Sequence, residues 1–112
     1  KQTLNGMIQQ RLNGIPGIVR EAIVKIDKGA RVILFGSKAR HESHQNSDWD
    51  FLILIKNPAS DELHDGIREQ LYSIELSTGE VISSIIESEQ GWLKYMKSEF
   101  YRNVSREGVE IV

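Results

Sequence analysis

Apolar positions along the chain alternate between helical and strand spacing. Leu4, Met7, Ile8 and Leu12 mark one face of a short helix near the amino end. Ile15-Pro16-Gly17 breaks that pattern. From Ile18 onward, Val19, Ala22, Ile23 and Ile26 recur at helical period, with Gly29 as the stop. Val32-Ile33-Leu34-Phe35 is a continuous apolar run of strand length, ended by Gly36-Ser37. The polar stretch from Lys38 to Asn46 reads as a short helical turn and a loop. A second strand runs from Asp48 to Ile55 and stops at Asn57-Pro58. Ser60 caps a helix whose first turn holds Asp61 and Glu62, where the helix dipole favours acids. Leu63, Ile67, Leu71 and Ile74 are its buried stripe, and Gly79 is its end. Val81 to Ile86 is a third strand. Ser88 caps a helix carrying Trp92, Tyr95 and Met96. Phe100, Tyr101 and Val104 form a last amphipathic piece, and Val109 to Val112 a terminal strand.

Two strands follow each other here without an intervening helix. That order predicts an α/β (α+β) domain with a small mixed sheet flanked by helices. At 112 residues, residues 1–112 are expected to make one domain, with little room for a separate substrate-binding domain. A formal net charge of -2 provides no bulk basic field to recruit nucleic acid. There are no cysteines, so disulfides and thiolate metal sites are excluded. No apolar run approaches membrane-spanning length, and the amino end lacks a signal-peptide pattern, so a cytoplasmic protein is expected.

The second strand carries the chemistry. Residues two apart in a strand share a face, so Asp48 and Asp50 project together with Leu52 and Leu54 beyond them. Trp49, Phe51, Ile53 and Ile55 project to the other side. Two carboxylates this close repel, and a divalent cation removes the conflict. Their oxygens suit Mg²⁺, which takes one or two protein carboxylates together with substrate phosphates and waters. Gly36-Ser37 sits between a strand and a short helical turn, where free N–H groups attract an anion. Lys38 and Arg40 add positive charge. There is no Walker pattern and no G-x-G-x-x-G. Either piece alone is commonplace: Asp-x-Asp is often a solvated strand end, and Gly-Ser an ordinary turn.

Together they are more specific. Phe35-Gly36-Ser37-Lys38-Ala39-Arg40, a polar loop, and then Ser47-Asp48-Trp49-Asp50-Phe51-Leu52-Ile53 resemble the signature of the DNA polymerase β-like nucleotidyltransferase superfamily. The chain is closer still to the minimal nucleotidyltransferases, whose pattern is Gly-Ser-x-Ala-Arg, a loop, Ser-Asp-x-Asp and a hydrophobic strand. The resemblance implies the nucleotidyltransferase fold. It also implies that Gly36 and Ser37 hold a nucleoside triphosphate, with Lys38, Arg40 and Ser47 in support. Asp48 and Asp50 would be the catalytic metal ligands for Mg²⁺, with ATP as substrate. The reaction implied is attack of an acceptor hydroxyl on the α-phosphorus, with pyrophosphate leaving.

One position departs from that pattern. The family usually places a third carboxylate on a later strand, and the aligned residue here is Ser83 in Val81-Ile82-Ser83-Ser84-Ile85-Ile86. Serine is a poor Mg²⁺ ligand and no base at neutral pH. Glu87 shares its parity but lies four residues on, roughly 13 Å along an extended strand. Glu80 has the opposite parity, and Glu75 lies on the preceding helix. Nucleotide binding is therefore better supported by the sequence than turnover. His41 and His44, three apart in the polar loop, are read as exposed loop residues before metal or phosphate ligands. Trp92, Tyr95 and Phe100 are read as core or interface before a base-stacking platform. Lys94, Lys97, Arg102 and Arg106 are read as a solvated helix face.

Two functions follow from the resemblance. Minimal nucleotidyltransferases are often paired with a helical HEPN-domain protein in toxin-antitoxin systems, where they adenylylate the partner. The alternative is a non-catalytic nucleotide-binding antitoxin that neutralises its partner by binding. Modification of a small molecule is a third and weaker reading, for want of acceptor-binding structure. Apolar surface left over in so small a domain favours a partner chain or a homo-oligomer.

Overall fold

A computed structural model describes residues 14–42, 47–56 and 60–112. The helix expected over Leu4 to Leu12, His44 and the Asn57-Pro58 stop lie outside the described residues.

The first described helix, α1, spans Ile15–Ile26. It begins three residues before the sequence pattern suggests, because Pro16 falls in the first turn, where a missing N–H costs nothing. Asp27 ends it, with its amide donating to the Ile23 carbonyl at 3.0 Å. Strand β1 spans Arg31–Phe35 and β2 spans Trp49–Ile55. They pair antiparallel, with Arg31 opposite Leu54 and Phe35 opposite Asp50. Helix α2 spans Asp61–Thr78. The Ser60 hydroxyl accepts from the Leu63 amide at 3.1 Å, and Gly79 closes the helix in the left-handed region at φ 76°.

Strand β3 spans Ile82–Ser88 and runs parallel to β2. Ser88 caps α3, Glu89–Leu93, by accepting from the Gly91 amide at 2.9 Å. That helix is shorter than its apolar pattern suggests, leaving Tyr95 and Met96 in turns. The reason is Ser98, whose hydroxyl donates to the Tyr95 carbonyl at 2.6 Å and accepts from the Tyr101 amide at 3.0 Å. It thereby starts a new helix, α4, Glu99–Glu107. The chain then adds β4, Val109–Ile111, antiparallel to β1. The order β3-β2-β1-β4 is the expected mixed sheet with helices on both faces.

Strand parity sorts the core into two layers. Val32, Leu34, Phe51, Ile53, Ile55 and Ile86 face α1 and α2, where Val19, Ile23, Ile67, Leu71 and Ile74 meet them. Ile33, Leu52 and Leu54 face α3 and α4, against Trp92 and Val104. Trp92 stacks on Tyr101 at 4.8 Å between ring centroids and serves as core, whereas Tyr95 and Phe100 are exposed.

Asp27 is the buried charge that joins the layers' ends. It is 6% exposed. One carboxylate oxygen accepts from the Gly29 amide at 3.1 Å, and the other from the Lys56 amide, just past β2, at 2.9 Å. Both bonds are charge-assisted, and a lost partner leaves buried amides unsatisfied. Asp27→Ala should lower unfolding free energy by about 2–3 kcal/mol in urea denaturation, and an unchanged midpoint would remove this clamp from the account.

Candidate nucleotide site

The site is built where β1 ends beside the start of β2. Because Phe35 lies opposite Asp50, the chain leaves β1 next to that carboxylate. Gly36 makes the exit at φ 78°, a conformation that side chains resist. A Cβ there would also strike Asp50 Oδ2. Glycine is thus required twice, by backbone conformation and by close approach to the acid.

Past Gly36 the chain makes one helical turn. The Gly36 carbonyl accepts from the Ala39 and Arg40 amides at 3.1 and 3.2 Å, and the Ser37 carbonyl from the Glu42 amide at 3.0 Å. Ala39 anchors the turn in the first core layer. The amides of Ser37 and Lys38 lead this turn and have no acceptor among the described residues. They offer donors to an anion, as the leading amides of a helical turn do. Ser37 is half-buried beside them.

Asp48 is exposed and lies just before β2, which starts one residue later than the sequence pattern suggests. Asp50 is half-buried within it. Burial raises the pKa of Asp50 above its ordinary value, the Asp48 charge raises it further, and Arg40 opposes both. Neither carboxylate forms an ion pair among the described residues. Ser83 stands directly beside Asp50 on the parallel strand, and its hydroxyl donates to Asp48 Oδ2 at 3.3 Å. The position aligned with the third acid is therefore in the site, holding a hydroxyl. Among the described residues no three His, Cys, Asp or Glu side chains converge. The donor set is all oxygen, with unrelieved negative charge, and it fits a hard divalent cation that keeps waters and phosphate oxygens for its remaining positions.

The other sequence candidates are placed less centrally. Trp49 has the opposite parity to Asp50 and packs against the first core layer, its indole N–H donating to Glu80 Oε1 at 2.8 Å. Lys38 Nζ lies 4.4 Å from the centre of the Trp49 ring. Lys38 is thus drawn away from the acid pair by a cation–π contact. Arg40 bonds Glu42 at 2.9 Å and Glu107 at 3.4 Å. It remains close enough to influence Asp50 electrostatically. Ser47, half-buried, precedes Asp48. His41 is exposed at the end of the turn at φ 60°. The ties of Lys38 and Arg40 are invisible in the motif, because Trp49, Glu80 and Glu107 lie outside it or look like structural residues.

A cavity of about 180 Å³ adjoins the turn, lined by Phe35, Gly36, Arg40, Phe100, Asn103 and Glu107. A larger one of about 370 Å³ lies at the far end of the same face, around Arg31, Trp92 and Glu110. Chemistry places the site at the smaller one, because Arg31 pairs with Leu54 at the opposite end of the sheet from Asp50.

A mixed sheet presenting a Gly-Ser turn beside paired carboxylates is the arrangement expected of an α/β domain of the nucleotidyltransferase type. Residues 17–104 match the model of the nucleotidyltransferase domain, and the chain belongs to that family. It is 37% identical over 78 residues to a protein of Methanocaldococcus jannaschii named "Putative protein adenylyltransferase", covering 70% of this chain and 73% of that one. It also superimposes on a chain from a structure described as "Crystal structure of the toxin-antitoxin with AMP-PNP", with a TM-score of 0.56. That match is 18% identical and covers 86% of this chain and 68% of the other. It bears out the expected nucleotidyltransferase fold.

The raised pKa of Asp50 has a measurable sign. A carboxyl titrating higher in the folded than in the unfolded state destabilises the fold once it is ionised. The penalty is absent below the ordinary carboxylate range and is complete above the raised folded value. Asp50→Asn should therefore be more stable than the parent protein at neutral pH without metal, and the gap should close on acidification. Chemical denaturation across pH measures it, and a gap that widens toward acid contradicts the assignment.

Proposed function

We propose that this nucleotidyltransferase transfers AMP from ATP to a hydroxyl on a partner protein, with Mg²⁺ held by Asp48 and Asp50. The observation that supports the reading is the packing of Gly36 against Asp50, which sets the turn beside the strand carboxylate. The Ser37 and Lys38 amides and the Ser37 hydroxyl bind the triphosphate, and Arg40 adds positive charge. When bound, Mg²⁺ would neutralise phosphate charge and fix the phosphate's orientation. The acceptor oxygen attacks the α-phosphorus, the bond to the pyrophosphate oxygen breaks, and the hydroxyl proton passes to solvent or a nearby base. A protein acceptor is supported by the name of the Methanocaldococcus jannaschii relative. A toxin partner is suggested by the toxin-antitoxin description of the structural neighbour, whose AMP-PNP also favours an adenine nucleotide, and its HEPN type by the motif resemblance alone.

A second reading rests on Ser83. Its hydroxyl bonds Asp48 where the family's third carboxylate would stand, so the chain would bind Mg-ATP and neutralise a partner without transfer.

Incubation with α-labelled ATP, Mg²⁺ and candidate partner proteins separates the two. Label on the partner, lost in Asp48→Ala and Asp50→Ala by roughly 100-fold or more, supports transfer, given the typical contribution of metal-site groups to catalysis. ATP binding without transfer to the partner it neutralises supports the second reading, and Ser83→Asp should then raise the rate. Absence of any Mg-nucleotide binding contradicts both.

A further inference from the structure

Among the described residues strand β3 lies at a sheet edge, blunted only by the Glu87 charge and by Glu75 on the Ile82 amide. The strand order leaves β3 and β4 at the two edges, and β4 has only three residues against seven for β3. Natural edges are blunted by short length, Lys, Pro or bulges. Ile82–Ser88 reads Ile-Ser-Ser-Ile-Ile-Glu-Ser, with neither Lys nor Pro, and pairs with β2 without a break in register. The Trp49 amide donates to the Val81 carbonyl at 2.9 Å. Backbone groups of odd-numbered β3 residues therefore turn toward β2, and those of even-numbered residues turn outward. The Ile82 amide follows that rule, being taken by Glu75 Oε2 at 2.8 Å. Ser84 and Ile86 present their amides with no partner among the described residues.

This edge is complementary to itself. Two antiparallel copies overlap along all seven residues in one register only, centred on Ile85. Residues 84 and 86 then form the hydrogen-bonded pairs. Odd-numbered residues form the closer pairs, with Cβ atoms roughly 4.5–5.5 Å apart. Ile85, 37% exposed in the single chain, meets its own copy on the two-fold axis. Ser83 meets the partner's Glu87. Both positions lie on the face of Asp50, because Ser83 pairs with Asp50 and Glu87 with Leu54. Within one chain, Glu87 lies four residues on from Ser83, roughly 13 Å along the strand. Across the two-fold they are direct neighbours. The Tyr95 hydroxyl, donating to Glu87 Oε2 at 3.1 Å, already holds this carboxylate on that face.

We propose that the chain pairs with a second copy along β3, and that the partner's Glu87 supplies, beside Ser83, the carboxylate that Asp48 and Asp50 lack. The donor role rests on the reading of the two aspartates as a metal site. Three converging carboxylates repel, so a divalent cation bound among them tightens the pairing.

The chain has no cysteine, so Ile85→Cys carries a single thiol. Oxidised with Mg²⁺ and a non-hydrolysable ATP analogue present, it should form a covalent dimer. Val81→Cys, more exposed than Ile85 but far from its copy in this register, should not. Sedimentation equilibrium of the parent protein should give twice the monomer mass of 12.8 kDa. Ser84→Pro removes one outward amide, leaves the ladder to β2 intact and should give monomer. Glu87→Gln should keep the dimer yet weaken Mn²⁺ binding to the analogue complex by roughly tenfold or more, matching Ser84→Pro. A monomeric parent without cross-linking overturns the pairing. A dimer in which Glu87→Gln binds Mn²⁺ as the parent does overturns the donor role. Absence of Mn-nucleotide binding in the parent defeats the metal-site reading, while the Ile85→Cys result still decides the pairing.

Discussion

The antiparallel pairing that sets Phe35 opposite Asp50 is the constraint on which the rest of the site depends. It joins the exit of one strand to the entry of the next, so a turn and an acid far apart in the loop meet without a dedicated scaffold. Gly36 makes the meeting close, since any side chain there would displace the carboxylate. Both flanking strands then have fixed places. β3 brings Ser83 alongside Asp50, and β4 fills the other side of β1. The two core layers hold this arrangement through alternate residues of the same strands.

The site works against stability when empty. Asp50 is held half-buried beside Asp48, with only Arg40 opposing the resulting rise in its pKa, and Arg40 is itself paired with Glu42 and Glu107. Such unrelieved charge is common where a ligand supplies the missing counter-ion. Ser83 partly answers the local need by donating to Asp48, but a hydroxyl brings no charge to the site. The family membership establishes a nucleotidyltransferase domain, and Ser83 stands where the motif resemblance leads one to expect a third carboxylate.

Much of this was legible in the amino-acid order. The alternation from Asp48 to Ile55 told which residues share a face, and both core layers obey it. The Gly-Ser turn and the Asp-x-Asp pair are adjacent because two strands follow each other without a helix, which is readable from periodicity. Ser83, aligned with a third acid only through the motif resemblance, stands beside Asp50 in the β2–β3 register. The helix boundaries were less legible. Pro16 looks like a breaker in sequence and is a helix start in space, and Ser98 ends one helix by beginning another. Burial of Asp27 and the diversion of Lys38 to Trp49 were not legible, because each depends on partners supplied by distant segments.

We propose that one divalent cation and a nucleoside triphosphate share the ground between the Gly36 turn and the two aspartates. Crystals grown with Mn²⁺ and a non-hydrolysable ATP analogue test it through the anomalous signal of the metal. The account predicts a Mn²⁺ peak bonded to Asp48 and Asp50, with phosphate oxygens on the same ion and on the Ser37 and Lys38 amides. A triphosphate bound elsewhere, such as the cavity around Arg31, or an ion that contacts neither aspartate, would contradict it.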